Sequence, residues 1–148
     1  MPLKKTIERA RKDKREGKSE STQAGEFVRE EIETIRKGKH GARSTKQAIA
    51  IGLSKARRAG VKLKPPAKGT TSAATRKKAV SDLKSAGSRK KPSPRRSRAA
   101  VKALKRESGA AASPKALSRQ AKQAARTRTP AQRSASAKKA ARTRKANQ

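Results

Sequence analysis

The chain runs to 148 residues, of which 44 are Lys or Arg and 10 are Asp or Glu, giving a formal charge of +34, with no Cys, Trp or Tyr. A charge of that size asks for a polyanionic partner, and the missing Cys excludes disulfides and thiolate zinc sites. Leu, Ile, Val and Phe together number 16, about a tenth of the chain, which excludes a hydrophobic core spanning its whole length.

From the N-terminus, Met1 to Arg15 is charged throughout, and no run of 18 apolar residues occurs anywhere. Neither a signal peptide nor a membrane-spanning helix is expected, and the chain is expected to stay in the cytoplasm. Leu3, Ile7 and Ala10 follow the i, i+4, i+7 spacing of one helix face and predict a short helix ending near Gly17. A second helix is predicted from a cap at Ser21 or Thr22 to Gly38, with Ala24, Phe27, Val28, Ile32 and Ile35 on one face. Its other faces carry Glu26, Arg29, Glu30, Glu33 and Lys37, spaced for weak ion pairs. Glu30, Glu31, Glu33 and His40 could be imagined as an oxygen-rich metal site, but Arg29, Arg36, Lys37 and Lys39 interleave with them and would repel a cation. These carboxylates therefore read as a solvated helix face, and no metal or other cofactor is expected.

Ser44-Thr-Lys-Gln47 is a capping-box pattern that opens a third helix running to Gly60, with Ala48, Ile49, Gly52, Leu53, Ala56 and Ala59 in one stripe. The two stripes, joined by Gly38 to Arg43, predict a small antiparallel helical hairpin. A helix-turn-helix fits less well, because this connection of roughly six residues exceeds the usual three or four. His40 to Lys46 has two readings. One is an anion site at the third helix's N-terminus, using Arg43, Lys46 and free backbone N–H groups. The other is a capped turn in which Ser44 already satisfies one of those donors.

Lys39-His-Gly-Ala-Arg-Ser-Thr-Lys-Gln-Ala-Ile-Ala-Ile-Gly-Leu-Ser-Lys-Ala56 resembles a segment of a family of small, basic bacterial proteins of unknown function. There a His-Gly turn precedes Lys-Gln-Ala-Ile-Ala-Ile-Ala-Leu-Ser, and this chain departs at Gly52. The resemblance covers about residues 26–60 and implies a bacterial cytosolic protein.

The composition shifts at Lys62-Leu-Lys-Pro-Pro-Ala-Lys-Gly69: residues 61–148 hold 27 Lys and Arg against Asp82 and Glu107 alone. Brief helical signals occur at Val80, Leu83 and Ala86 and at Val101 and Leu104. Ordering a residue costs about 1–2 kcal/mol of backbone entropy, and a stretch with so little apolar area is expected to stay largely disordered. Ser93-Pro-Arg-Arg96, preceded by Lys90-Lys-Pro92, is similar to the Ser-Pro-basic-basic turns of linker-histone tails, and residues 61–148 resemble such tails in composition. A repeat of period 16 follows, Ser113–Arg128 aligning with Thr129–Arg144 at nine of 16 identical positions. Each copy opens with Ser or Thr then Pro, an N-cap and first helical residue. In the first copy Lys115, Arg119, Lys122 and Arg126 share one face while Leu117, Ala121, Ala124 and Ala125 share another.

Catalysis needs a nucleophile or an acid and base held by a packed scaffold, and His40 with scattered Ser, Thr and carboxylates assembles none, so no enzyme is expected. Gly38-Lys-His-Gly41 lacks the spacing of a phosphate loop. Cationic density remains, and its warrant is counterion release from phosphates. The residues expected to contact phosphate are Arg43, Lys46, Lys90, Lys91, Arg95, Arg96 and Arg98, then Lys115, Arg119, Lys122, Arg126 and Arg128, then Arg133, Lys138, Lys139, Arg142, Arg144 and Lys145. With no stacking platform of aromatic side chains, duplex DNA or structured RNA is favoured over sequence-specific single strands.

The expected fold is mostly α: a helical head over 1–63, a disordered basic linker over 64–112, and tandem repeats over 113–148 that become helical on binding. The expected function is sequence-tolerant DNA binding and compaction, histone-like and nucleoid-associated. Two rivals are association with RNA or the ribosome, and a protein adaptor docking through helix 22–37 by Glu26, Glu30, Glu31 and Glu33. No membrane insertion and no small-molecule substrate are expected.

Overall fold

A computed structural model describes residues 1–88 and 93–148 of the chain. The first three helices form where the apolar periodicity places them: α1 (Lys4–Arg15), α2 (Glu20–Arg36) and α3 (Thr45–Arg58). One boundary differs. The cap of α2 is Ser19, whose Oγ accepts from Thr22 N at 3.3 Å, while Ser21 and Thr22 lie inside the first turn and hydrogen-bond that same Oγ through their hydroxyls. Helix α3 starts as its capping signature requires, with Ser44 Oγ accepting from Gln47 N at 3.1 Å and Gln47 Oε1 accepting from Arg43 N at 2.7 Å.

Helices α2 and α3 make the largest interface, and they run antiparallel. At one end Ala24 and Phe27 pack with Ala56 and Val61 under Ala10 of α1; at the other Ile32 and Ile35 pack with Ala42 and Ala48. Midway, a Cβ at Gly52 would lie 2.6 Å from Val28 Cα, so the backbones approach as closely as they do only because Gly stands there. Ala59, placed on the same stripe by periodicity, is exposed at the helix end. Arg57 is buried and holds the departing chain, Nε donating to Leu63 O at 3.2 Å and Nη2 to Lys64 O at 3.4 Å; burial lowers its pKa, opposed by the field of Asp82.

The expectation of a long, largely disordered tail is overturned. Residues 64–148 form α4 (Ala73–Lys84), α5 (Pro94–Lys105), a 3₁₀ turn (Gly109–Ala112), α6 (Pro114–Arg126) and α7 (Pro130–Ala146). Both repeat copies are thus helical without a partner, and the described part of the linker carries α4, α5 and the 3₁₀ turn, although residues 64–72 form no helix. Parts of the tail need no core of their own, because they pack on the head. Asp82, buried in α4, instead accepts from Ser54 Oγ of α3 at 2.6 Å and from Lys78 Nζ at 3.0 Å. Ala111 and Ala112 enter the head's core beside Ile35 and Ala48, with Leu117 packed against them.

Four hydrogen bonds fasten this seam: Gly41 N to Leu104 O at 2.9 Å, Ala42 N to Ser108 O at 3.1 Å, Thr45 Oγ1 to Ala111 O at 2.7 Å and Arg36 Nε to Ala112 O at 2.9 Å. Local signals also favour the tail helices. Ser72, Ser93, Ser113 and Thr129 each accept from a first-turn N–H, the last three followed by Pro, and the interiors are rich in Ala.

Candidate nucleic-acid interface

Most of the partnered carboxylates of this chain lie in the head. Lys18 Nζ sits 2.8 Å from Asp13 Oδ1 and 2.7 Å from Glu16 Oε2, which raises the Lys18 pKa and lowers that of Glu16. Glu26 faces Arg9 and Arg29, each at 3.7 Å, and Glu30 Oε2 accepts from Leu3 N at 3.1 Å.

Glu30 and Glu31 do not stand on a solvated helix face, which corrects the sequence expectation. Both are buried, because the turn of α2 that carries them is covered on one side by the start of the chain and on the other by α3 and the His40 loop. Glu31 is fully buried, with Lys55 Nζ at 2.6 Å from Oε2 and His40 Nε2 at 3.4 Å from Oε1. Its Oε1 makes no hydrogen bond. His40 Nδ1 lies 2.9 Å from Gly41 O, so both ring nitrogens face acceptors. Lys55 stands on one side of Glu31 and the His40 ring on the other, and no group of three metal-ligating side chains gathers among the described residues. Of the four acidic residues proposed to dock a protein partner, only Glu33 is exposed.

The tail is left uncompensated. From Arg95 to Lys145 there are 17 Lys and Arg against Glu107, and every one of the 17 is exposed. Among the described residues, no ion pair joins a carboxylate to any Lys or Arg beyond Lys78. Arg95, Arg96 and Arg98 crowd the first turns of α5, where cations oppose the helix dipole. Lys90 and Lys91 lie outside the described residues.

On α6 the partly buried residues are Ala116, Leu117 and Gln120, and at about 100° per residue Lys115, Arg119, Lys122 and Arg126 fall roughly opposite them. Ala121, Ala124 and Ala125, which share a face with Leu117 by periodicity, are exposed: the helix touches the head through its first two turns only. Helix α7 buries no residue and carries Lys138, Lys139, Arg142, Arg144 and Lys145. The other two predicted cations of the repeats are engaged locally. Arg128 Nη2 donates to Gln132 O at 2.8 Å and to Ser136 Oγ, and Arg133 Nη1 donates to Ala125 O at 3.2 Å and Arg128 O at 3.4 Å.

Arg43 and Lys46 flank a capped turn, exposed, where Ser44 Oγ accepts from Gln47 N, Gln47 Oε1 accepts from Arg43 N and Thr45 Oγ1 donates to Ala111 O. Sequence reasoning missed the seam. Its only signal was a charge-free run, Ser108 to Pro114, inside a strongly basic tail.

No described helix is long and apolar enough to cross a membrane. No family model matches the chain, and no curated protein or solved structure matches it.

Proposed function

We propose that this chain is a non-enzymatic, nucleoid-associated protein of the bacterial cytoplasm that binds and compacts duplex DNA through phosphate contacts, without reading base sequence. The observation that carries this is the 17 exposed tail cations facing one carboxylate. An array of fixed cations on capped helices neutralises phosphates and releases condensed counterions, a gain indifferent to sequence. Phe27, the single aromatic residue, is 1% exposed, so no base can stack on it. The likeness of residues 39–56 to small basic bacterial proteins agrees with this setting. The adaptor alternative is disfavoured by the burial of Glu30 and Glu31.

Salt titration of full-length protein on fluorescent 20-base-pair duplexes of unrelated sequence tests the proposal. With about 6–10 phosphates engaged, affinity falls about 10³–10⁵-fold between 50 and 200 mM salt. Discrimination above about 100-fold between duplexes would indicate base contacts and refute sequence tolerance. Duplex RNA run in parallel distinguishes the RNA alternative, which tighter RNA binding would favour.

A further inference from the structure

The two repeat copies differ most tellingly at one pair of positions. A residue just before a helix's N-cap commonly packs against the fourth residue of the helix, fixing the angle at which the chain enters. In α6, capped by Ser113, those positions are Ala112 and Leu117, an apolar pair set in the head's core. In α7, capped by Thr129, they are Arg128 and Arg133. The apolar pair suits a helix that docks; the second copy has no core to enter.

We infer that Arg128 and Arg133 are positioning residues that fix the corner between α6 and α7, and that they act there in place of the apolar pair of the first copy. Arg133 Nη1 closes the end of α6 through Ala125 O at 3.2 Å and bridges to Arg128 O at 3.4 Å. Arg128 reaches the other way, to Gln132 O at 2.8 Å and Ser136 Oγ in α7. The corner is completed by the reciprocal Thr129–Gln132 cap, with Gln132 N to Thr129 Oγ1 at 3.2 Å and Thr129 N to Gln132 Oε1 at 3.0 Å. In each arginine one Nη makes both bonds, its two N–H groups held in the guanidinium plane, whereas the N–H groups of a lysine ammonium rotate freely on a flexible stem.

The consequence concerns binding. A fixed corner presents Lys138, Arg142 and Lys145 of α7 in a set relation to the cations of α6, so the second helix meets phosphate without first being ordered. With a loosened corner α7 becomes a tethered cation string at lower effective concentration. The binding half of this inference rests on the DNA-binding reading; the corner itself does not.

The test uses the full chain with Arg133→Lys, which keeps the charge, and Arg133→Gln, which removes it. In the free protein, amide exchange across residues 128–136 should speed up about 5- to 10-fold in both variants, the loss of one corner hydrogen bond network at about 1.4 kcal/mol per tenfold. On duplex DNA, both should bind about 5- to 10-fold more weakly with the slope of log affinity against log salt unchanged. Lys138→Gln provides the contrast, making that slope shallower by about 0.9. A slope shallower by about 0.9 in Arg133→Gln, with Arg133→Lys behaving as wild type, would make Arg133 a phosphate contact and overturn the inference. Unchanged exchange in both variants would overturn it without reference to DNA. If the wild type binds no nucleic acid, the DNA reading fails, and exchange alone decides the corner.

Discussion

Gly41→Ala should release the tail from the head. A Cβ at this position would overlap the backbone carbonyl of Glu107 and approach Ser108 O to 2.6 Å, and backbone cannot swing aside as a side chain does. The seam it props is finely balanced. Its four hydrogen bonds contribute about 0.5–1.5 kcal/mol each and the buried methyls of Ala111 and Ala112 about 0.8 kcal/mol each, about 4–8 kcal/mol in all. Ordering the five residues from Ser108 to Ala112 costs about 5–10 kcal/mol. Terms that nearly cancel leave little reserve, so an overlap costing even about 2–3 kcal/mol undocks the turn while α1–α3 keep their own core. Hydrogen exchange read by mass spectrometry should show Ala111, Ala112 and the first turn of α6 exchanging at close to the unprotected rate, with the Phe27 end of the core unchanged. Full retention of protection around Ala111 would refute the seam as drawn.

Two further outcomes follow from the head. Glu31→Gln removes the carboxylate that Lys55 Nζ meets at 2.6 Å, and breaking a buried pair costs about 3–5 kcal/mol; since Lys55 can swing toward solvent, about 2–3 kcal/mol is expected as a lower urea midpoint, whereas an unchanged midpoint would mean that the Glu31–Lys55 pair contributes nothing to stability. At the α1–α2 turn, Lys18 holds the Glu16 carboxyl below its ordinary value of 4.5, chiefly by direct hydrogen bonding. A depressed carboxylate contributes order that is present above its unfolded value and lost as pH falls through its folded one, so this turn should loosen only below about pH 4.5. The raised Lys18 pKa contributes order already complete at neutral pH and lost only in strong alkali. Carboxyl NMR titration should return Glu16 to its ordinary range in Lys18→Met; identical curves would remove the interaction.

The head was legible in sequence because its signals are local and mutually consistent. Ser44-x-x-Gln47 writes the start of α3, and Phe27, Ile32 and Ile35 fall on one face of a helix whatever surrounds it. Burial of Glu31 was illegible, because it depends on Lys55 and His40 arriving from elsewhere in the chain. A carboxylate spaced among cations looks the same in sequence whether water or a lysine completes it.

The tail shows the opposite confusion between what a segment contains and what it can borrow. Composition correctly reports that residues 64–148 lack a core, yet two Ala methyls suffice at a place where the head leaves a gap beside Ile35 and Ala48. Leu117 and Arg133 occupy equivalent repeat positions, and comparison of the copies marks them as different without saying why. Their neighbours supply the reason. One helix begins against a hydrophobic core and the other in water, so the same entry angle is fixed once by packing and once by hydrogen bonds. That division leaves α6 anchored in the core, while α7 buries no residue and meets the head at its far end, where Asn147 Nδ2 donates to Glu16 O at 3.1 Å, with the cations of both helices free of carboxylates. Should the corner variants leave exchange unchanged, this account of the repeat fails even if the cations do bind phosphate.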